Sequence, residues 1–371
     1  MPDVTRGCAA LALFTVVLAV HCGGATATSG SDGGAGRGSS SGSSDASVFD
    51  ASASSSPACG PTLTTLVPAF WTQPDAFEGQ VGSIAVNGTT VFFSLFEPGS
   101  LWSVPVGGGA PTKLASFDGE VAQMLATPTT VVVAESFNGT KPAEILSLPA
   151  GGGSPTVLAT VDGRTYSLAT DGTDVYFSGQ GGVAAVPLAG GAVRTVTTQP
   201  GTIALAGSTL ILAGDASGNV FTIPTSGGTL TPIATGRSTP DFPVSDGSAI
   251  CWVEAIACAG VPDADVCVAG QGEGAIVCAS PGEAPVTLAE SSLLYLPTGM
   301  FFDGASFFVT VGEDASLDGP LTRVPAAGGT PTVIAQADGV AIADGCAFVI
   351  DYTGGVSTVA TSSGSSSGDD E

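Results

Sequence analysis

Apolar positions along this chain come in short β-branched or aromatic runs, each cut off by glycine or by an Asp-Gly or Asn-Gly pair. The stretch from Ser167 to Val196 shows the pattern most cleanly. Ser167-Leu168-Ala169-Thr170 predicts a first strand, Asp171-Gly172 a tight hairpin turn, and Val175-Tyr176-Phe177-Ser178 a second strand. Glycine at such a turn takes positive φ with no Cβ clash, and β-branched and aromatic side chains fit a pleated, half-buried surface. Gly179-Gln180-Gly181-Gly182 turns again into Val183-Ala184-Ala185-Val186-Pro187, and Gly190-Gly191 into Val193-Arg194-Thr195-Val196. Four short antiparallel strands joined by glycine turns make one blade of a β-propeller.

The scaffold recurs with a period of about 40 residues, the mark of one small unit copied. Other first turns fall at Asn87-Gly88, Thr127-Pro128, Gly207-Ser208, Asp246-Gly247, Asp303-Gly304 and Asp344-Gly345. Second strands follow at Val91-Phe92-Phe93, Val131-Val132-Val133, Leu210-Ile211-Leu212, Ile250-Cys251-Trp252-Val253, Phe307-Phe308-Val309 and Ala347-Phe348-Val349. With the first copy these predict an all-β, seven-bladed propeller, six or eight blades being the alternatives. A phrase at Val104-Pro105-Val106-Gly107-Gly108-Gly109-Ala110-Pro111-Thr112 returns at Leu148-Pro149-Ala150-Gly151-Gly152-Gly153-Ser154-Pro155-Thr156 and marks the turn into each outer strand. The last copy stops after Val356-Ser357-Thr358-Val359, one strand short, and Gly60-Pro61-Thr62-Leu63-Thr64-Thr65-Leu66-Val67 carries the missing phrase. Thr62–Val67 is therefore expected to complete the last blade and close the ring, which removes exposed sheet edges.

Composition narrows the chemistry. The chain has 371 residues, 54 of them Gly, and only 11% charged, which disfavours both long helices and wholesale disorder. Its formal charge of -25 repels nucleic acid and anionic headgroups, leaving a cation, a basic partner or a neutral glycan. The one histidine, His21, lies in the export segment, so the remainder has no imidazole for a Ser-His-Asp or Cys-His nucleophile, a His-ligated zinc or a general base.

Arg6 precedes an apolar run from Cys8 to Val20, shorter than the roughly 20 residues of a membrane span but fitting the hydrophobic region of a signal peptide. Its end, Leu18-Ala19-Val20-His21-Cys22-Gly23-Gly24, resembles a bacterial lipoprotein signal with Cys22 as the lipidated residue. His21 departs from that pattern, and Ala25-Thr26-Ala27 offers a competing cleavage site. Residues 1–22 thus form the expected signal, and 23–58 a Gly/Ser-rich tether of about 30–35 Å root-mean-square span. Residues 59–360 are the propeller, and 361–371 a disordered acidic tail. The implied address is the bacterial envelope, at the outer membrane or cell surface, touching membrane only through the lipid, or secretion if Cys22 is not lipidated.

Six further cysteines in an exported chain argue for disulfides. The blade model pairs Cys251 with Cys278 and Cys258 with Cys267 along one hairpin, and Cys59 with Cys346 across the ring closure.

The Asp-Gly-x-x-Val-Tyr-Phe and Val-Pro-x-x-Gly-Gly-x-Pro-Thr phrases, over about Pro61 to Ala360, resemble bacterial secreted and lipoprotein β-propellers of the TolB-like, surface-repeat kind. That resemblance implies the fold and no single activity, since propellers host binding modules and enzymes alike.

Propeller ligands usually meet the face made by the connections between blades and the loops from second to third strands. Here those connections carry Phe117 and Asp118, then Asp162, Arg164 and Tyr166, then Arg237, Asp241 and Phe242, and Tyr295. Aromatic rings beside Arg and Asp suit a protein, peptide or glycan. Acidic residues in two second-to-third loops, Asp263 and Asp265, then Glu313, Asp314 and Asp318, could hold Ca²⁺ through oxygen ligands, without matching a known loop spacing. No other cofactor is expected. The function that follows is a non-catalytic envelope lipoprotein binding through its inter-blade loops. The alternative is a Ca²⁺-dependent, carboxylate-based hydrolase of lactonase-like kind, or a lyase.

Overall fold

The computed structural model describes residues 59–68, 81–95, 99–136, 142–214, 217–256, 272–312, 319–351 and 354–362. Across them, seven antiparallel four-stranded sheets follow one another around a ring. Blades 1 to 6 occupy 81–116, 120–161, 165–197, 202–234, 241–291 and 297–337 in turn. In each, the first strand lies innermost against its counterparts in neighbouring blades, and the fourth forms the outer edge. The seventh blade takes three strands from 339–360 and its outer strand from the other end of the described chain. Thr64 stands opposite Thr358, Thr65 opposite Ser357 and Val67 opposite Val356. The ring is therefore closed by the N-terminal strand, which begins at Thr64, two residues later than the phrase at Pro61-Thr62 predicts.

The second strands are buried along nearly their whole length between successive sheets, whereas the outer strands are mostly exposed or half-buried; Trp252, Tyr176, Phe92, Phe93, Phe307 and Phe308 are among the largest fully enclosed side chains. No helix among the described residues is long and apolar enough to cross a membrane.

The repeated phrase has a role beyond turning the chain. Each outer strand carries a β-bulge at one equivalent apolar residue: Leu114, Leu158, Val196, Ile233, Leu288, Ile334 and, in the closing strand, Leu66. At four of the seams the Gly-Gly turn of the following blade comes up against that residue. A Cβ on Gly152 would crowd Leu114 Cδ2 at 3.2 Å, and φ +91 is a conformation that favours glycine there. Gly108 approaches Leu66, Gly227 approaches Val196 and Gly328 approaches Leu288 in the same way. Leu66 thus docks blade 7 on blade 1 by the contact used elsewhere in the ring.

Polar bonds add to these seams. Arg194 donates to Asp174 at 2.8 Å within blade 3 and to the Thr225 carbonyl of blade 4 at 2.7 Å. Arg323 of blade 6 donates to the Thr361 carbonyl at 3.0 Å. Among the described residues two disulfides are present, Cys59–Cys346 across the closure and Cys251–Cys278 between directly opposed residues of blade 5. Cys258 and Cys267 lie outside the described residues, as do the signal, Cys22 and the tether.

Candidate functional site

The described connections between blades lie at the end of the ring where second strands finish and third strands begin. In blades 1 and 4 the outgoing connection crosses its own blade close to the start of the third strand. Gly99 accepts the Phe117 N–H and Gly218 the Arg237 N–H, both at 2.8 Å. A Cβ on Gly218 would fall 2.3 Å from the Arg237 carbonyl, so the crossing exists only with glycine beneath it. These crossings fix where the charged residues that follow can reach.

At the junction of blades 4 and 5, Arg237 grips Glu254 through Nε to Oε1 at 2.7 Å and Nη2 to Oε2 at 2.9 Å. Glu254 lies at the end of the second strand of blade 5, Ile250–Ile256, and also accepts the Trp252 indole N–H at 2.5 Å. Ser238 donates to the Ala255 carbonyl at 2.6 Å, tying the same connection to the same strand. Nearer the channel, Asp241 Oδ1 accepts Thr202 Oγ1 of blade 4 at 2.6 Å and the Phe242 N–H at 2.8 Å. Burial raises the Asp241 carboxyl above the usual carboxylate range, although both of those bonds oppose the shift. Thr239 and Phe242 hold φ values of +44 and +47, unusual for residues with a Cβ. Strained backbone and an enclosed acid coincide in this connection.

At the junction of blades 2 and 3, Glu120 opens the inner strand Glu120–Ala126, and burial pushes its carboxyl up to about 7 against the opposing pull of the Arg164 guanidinium. Glu135, buried at the end of the neighbouring strand, accepts the Gly119 N–H at 2.5 Å. A carboxyl titrating near neutrality can take up or release a proton there. Because the folded chain holds this proton more tightly than the unfolded one, its contribution to stability is complete below about pH 4.5 and lost as pH rises through about 7. Replacing Glu120 by Gln is expected to remove that loss, about 1 kcal/mol after discounting for solvent screening at a partly exposed group. Chemical denaturation at pH 5 and pH 8 checks it: the wild type loses about 1 kcal/mol more between the two than the variant does.

The residues singled out from sequence divide on the structure. Asp118 and Asp162 are exposed, and Arg164 and Tyr166 half-buried, on the connections flanking blade 2 and entering blade 3. Arg237 and Asp241 lie on one connection between blades 4 and 5 but bond different partners, Glu254 and Thr202. Phe117 packs partly buried against the core between blades 1 and 2, and Phe242 lies in the core between blades 5 and 6. Tyr295 is 9% exposed, its ring seated where a Cβ on Gly272 would be. Asp263, Asp265, Glu313, Asp314 and Asp318 lie outside the described residues, and among the described ones no group of three or more His, Cys, Asp and Glu converges as metal ligands. Sequence reading missed Glu120, Glu135, Glu254 and Thr202. The signal for two of them was positional: Glu135 and Glu254 occupy the same place, at the end of the second strand, in blades 2 and 5.

No protein-family model and no curated protein sequence matches the chain. Its fold does match solved structures. The WD40 β-propeller domain of Doa1 superposes with a TM-score of 0.57 at 11% identity, over 80% of this chain and 96% of that one. Virginiamycin B lyase from Staphylococcus aureus gives 0.56 at 16% identity, over 81% and 99%. PorZ, an essential bacterial surface component of the type-IX secretion system of Porphyromonas gingivalis, gives 0.56 at 14% identity over 81% of this chain, which spans only 38% of PorZ. At such identities the likeness is one of fold.

Proposed function

We propose that this chain is an exported, envelope-tethered propeller that binds a protein partner, or a peptide or glycan it carries, through the face of inter-blade connections. The contrast between the two ends of the ring carries the reading. At the opposite end the first turns repeat one device: Asn87, Asp171, Asp246 and Asp303 each accept N–H groups of their own turn. Those residues are occupied with local turn chemistry. On the connection face the copies diverge into Asp118, Asp162, Arg164, Glu120 and the Arg237–Glu254 pair, on a frame the closed ring holds rigid. Divergent side chains on a repeated rigid frame are what partner recognition needs. The excess of acidic residues favours a partner with a basic surface.

The closure suits a tether. Residues 23–58 lead directly to Cys59, whose disulfide to Cys346 would carry a pull that otherwise acts on a four-residue edge strand. The two disulfides are in keeping with an oxidising compartment outside the cytosol.

Site-specific photo-cross-linking in cells expressing the full chain tests both parts. Cross-linkers at Asp118 and Asp162 are expected to capture a partner that those at Thr129 and Ser248, on the opposite end, do not. The protein is expected to sediment with membranes, and Cys22→Ala to release it. Equal capture from both ends would defeat the binding-face reading, and sedimentation unaffected by Cys22→Ala the anchored one.

A further inference from the structure

We infer that an extended segment of the partner adds as a fifth strand along the outer edge of blade 2, Thr156–Val161, with a basic side chain seated beside Glu144 and Asp162. The inference rests on the binding role proposed above and names the form that binding takes. An outer strand presents a row of backbone N–H and C=O groups with no strand beyond it, and folded chains guard such edges with short length, proline or a cation. Four of the seven edges here are guarded. Blade 1 carries Lys113 in a strand of five residues, blade 3 Arg194 and blade 4 Pro232 in strands of four, and the closing strand of blade 7 has four. The edge of blade 2 has six residues, Thr-Val-Leu-Ala-Thr-Val, with no charge and no proline, and four of the six are β-branched. It is last in its sheet, and among the described residues no further backbone bond is made to it.

The side chains around this edge say what the added strand carries. Leu146 stands opposite Val157 and Glu144 opposite Thr160, so Val157, Thr160 and Glu144 share one face of the blade across the bulge at Leu158. Val157 is 50% exposed, an apolar surface that a β-branched cross-strand neighbour would cover. Glu144 also stands directly opposite Glu135 on the second strand, and like charges so placed repel. Neither Glu144 nor Asp162, the exposed residue that follows the strand, has a cationic partner among the described residues. A lysine or arginine on the added strand supplies one, and the formal charge of -25 favours a partner that brings it. Blades 5 and 6 also have six-residue edges. Val286–Ser291 carries Glu290, however, and Thr332–Ala337 passes after a single residue into the inner strand of blade 7. Thr156–Val161 runs instead into Asp162 on the connection face, so a strand added there is continuous with that face. Main-chain bonds along the edge would give affinity, and the side chains opposite Val157 and beside Glu144 specificity.

Two blocked hexapeptides of alternating threonine and valine, one ending in lysine and one in glutamate, test the inference on the full chain. The lysine peptide is expected to bind with a Kd on the order of 1 mM and to slow hydrogen exchange at the amides of Thr156–Val161, the mark of strand pairing. The glutamate peptide should bind about tenfold more weakly. Val157→Lys, which sets a guarding cation on the edge, should weaken the lysine peptide about tenfold, and Val333→Lys on the edge of blade 6 should leave it unchanged. In cells, Val157→Lys is expected to abolish capture of the partner by a cross-linker at Asp162. Capture that survives Val157→Lys, or peptide binding that leaves those amides unprotected, overturns the added strand while the binding face stands. Peptide binding and amide protection without any capture from Asp118 or Asp162 faults the binding-face reading and not the edge. A dimer that Val157→Lys converts to a monomer overturns the inference as well, because the edge then pairs with a second copy.

Discussion

Alanine at both Cys59 and Cys346 is expected to lower the unfolding free energy by about 3–5 kcal/mol, the larger effect of the two disulfides. The bond joins residues 287 apart in sequence, so its loss frees a very long loop in the unfolded chain. The native side of the balance points the same way. Ordering each residue of the closing segment costs about 1–2 kcal/mol, whereas its two buried side chains, Leu66 and Val67, contribute about 1.5–3 kcal/mol each. Four residues of strand cannot offset that on their own, and the segment should fray before the ring unfolds. Cys251–Cys278 is different: its cysteines are 27 apart and already opposed in a hairpin whose strands pair from Ile250 to Ile256. Denaturant titration of the two double variants ranks them, and hydrogen exchange follows the amides of Val356–Ala360. An equal or reversed ranking, with those amides still protected, would show that the strand holds itself.

That closure was legible because a Gly-Pro-Thr phrase stands where no blade follows it, while the last copy lacks an outer strand. Its register was not. Pro61-Thr62 looks like the start of the strand, yet the position equivalent to Leu114 and Leu158 is Leu66, so the strand begins at Thr64. Local pattern identifies a turn and a strand. At the closure the bulging residue is the one that meets the Gly-Gly turn of the next blade, Leu66 against Gly108. The face of connections was harder still. Phe117, Phe242 and Tyr295 read as exposed aromatic platforms because they lie outside strand patterns, but the tight crossings fold them into the blades. Glu254 and Glu135 went unmarked because their partners, Arg237 and the Gly119 N–H, belong to the connection arriving from the preceding blade. Charges paired across a blade boundary leave no trace in a period read within one blade.

Arg237→Ala is expected to cost about 3–5 kcal/mol, because it strands a buried carboxylate. The Glu254 side chain is 6% exposed and that of Arg237 30%, so Arg237 reaches water while Glu254 does not. Without the guanidinium, Glu254 keeps the Trp252 indole N–H as its remaining bond, which is too little to hold a charge out of water. Removing both charges does not restore the loss. Arg237→Met with Glu254→Leu leaves the indole N–H of fully buried Trp252 unpaired, a penalty of about 1–3 kcal/mol. Adding Trp252→Phe removes that donor as well, so the triple variant should recover to within about 2 kcal/mol of the wild type, the remainder reflecting the smaller ring. Denaturation midpoints of the single, double and triple variants give the coupling directly. Additive losses would mean that the three side chains act independently. Recovery in the triple variant would mean that this set serves to pin the connection between blades 4 and 5, and with it Ser238, Asp241 and the binding face they frame.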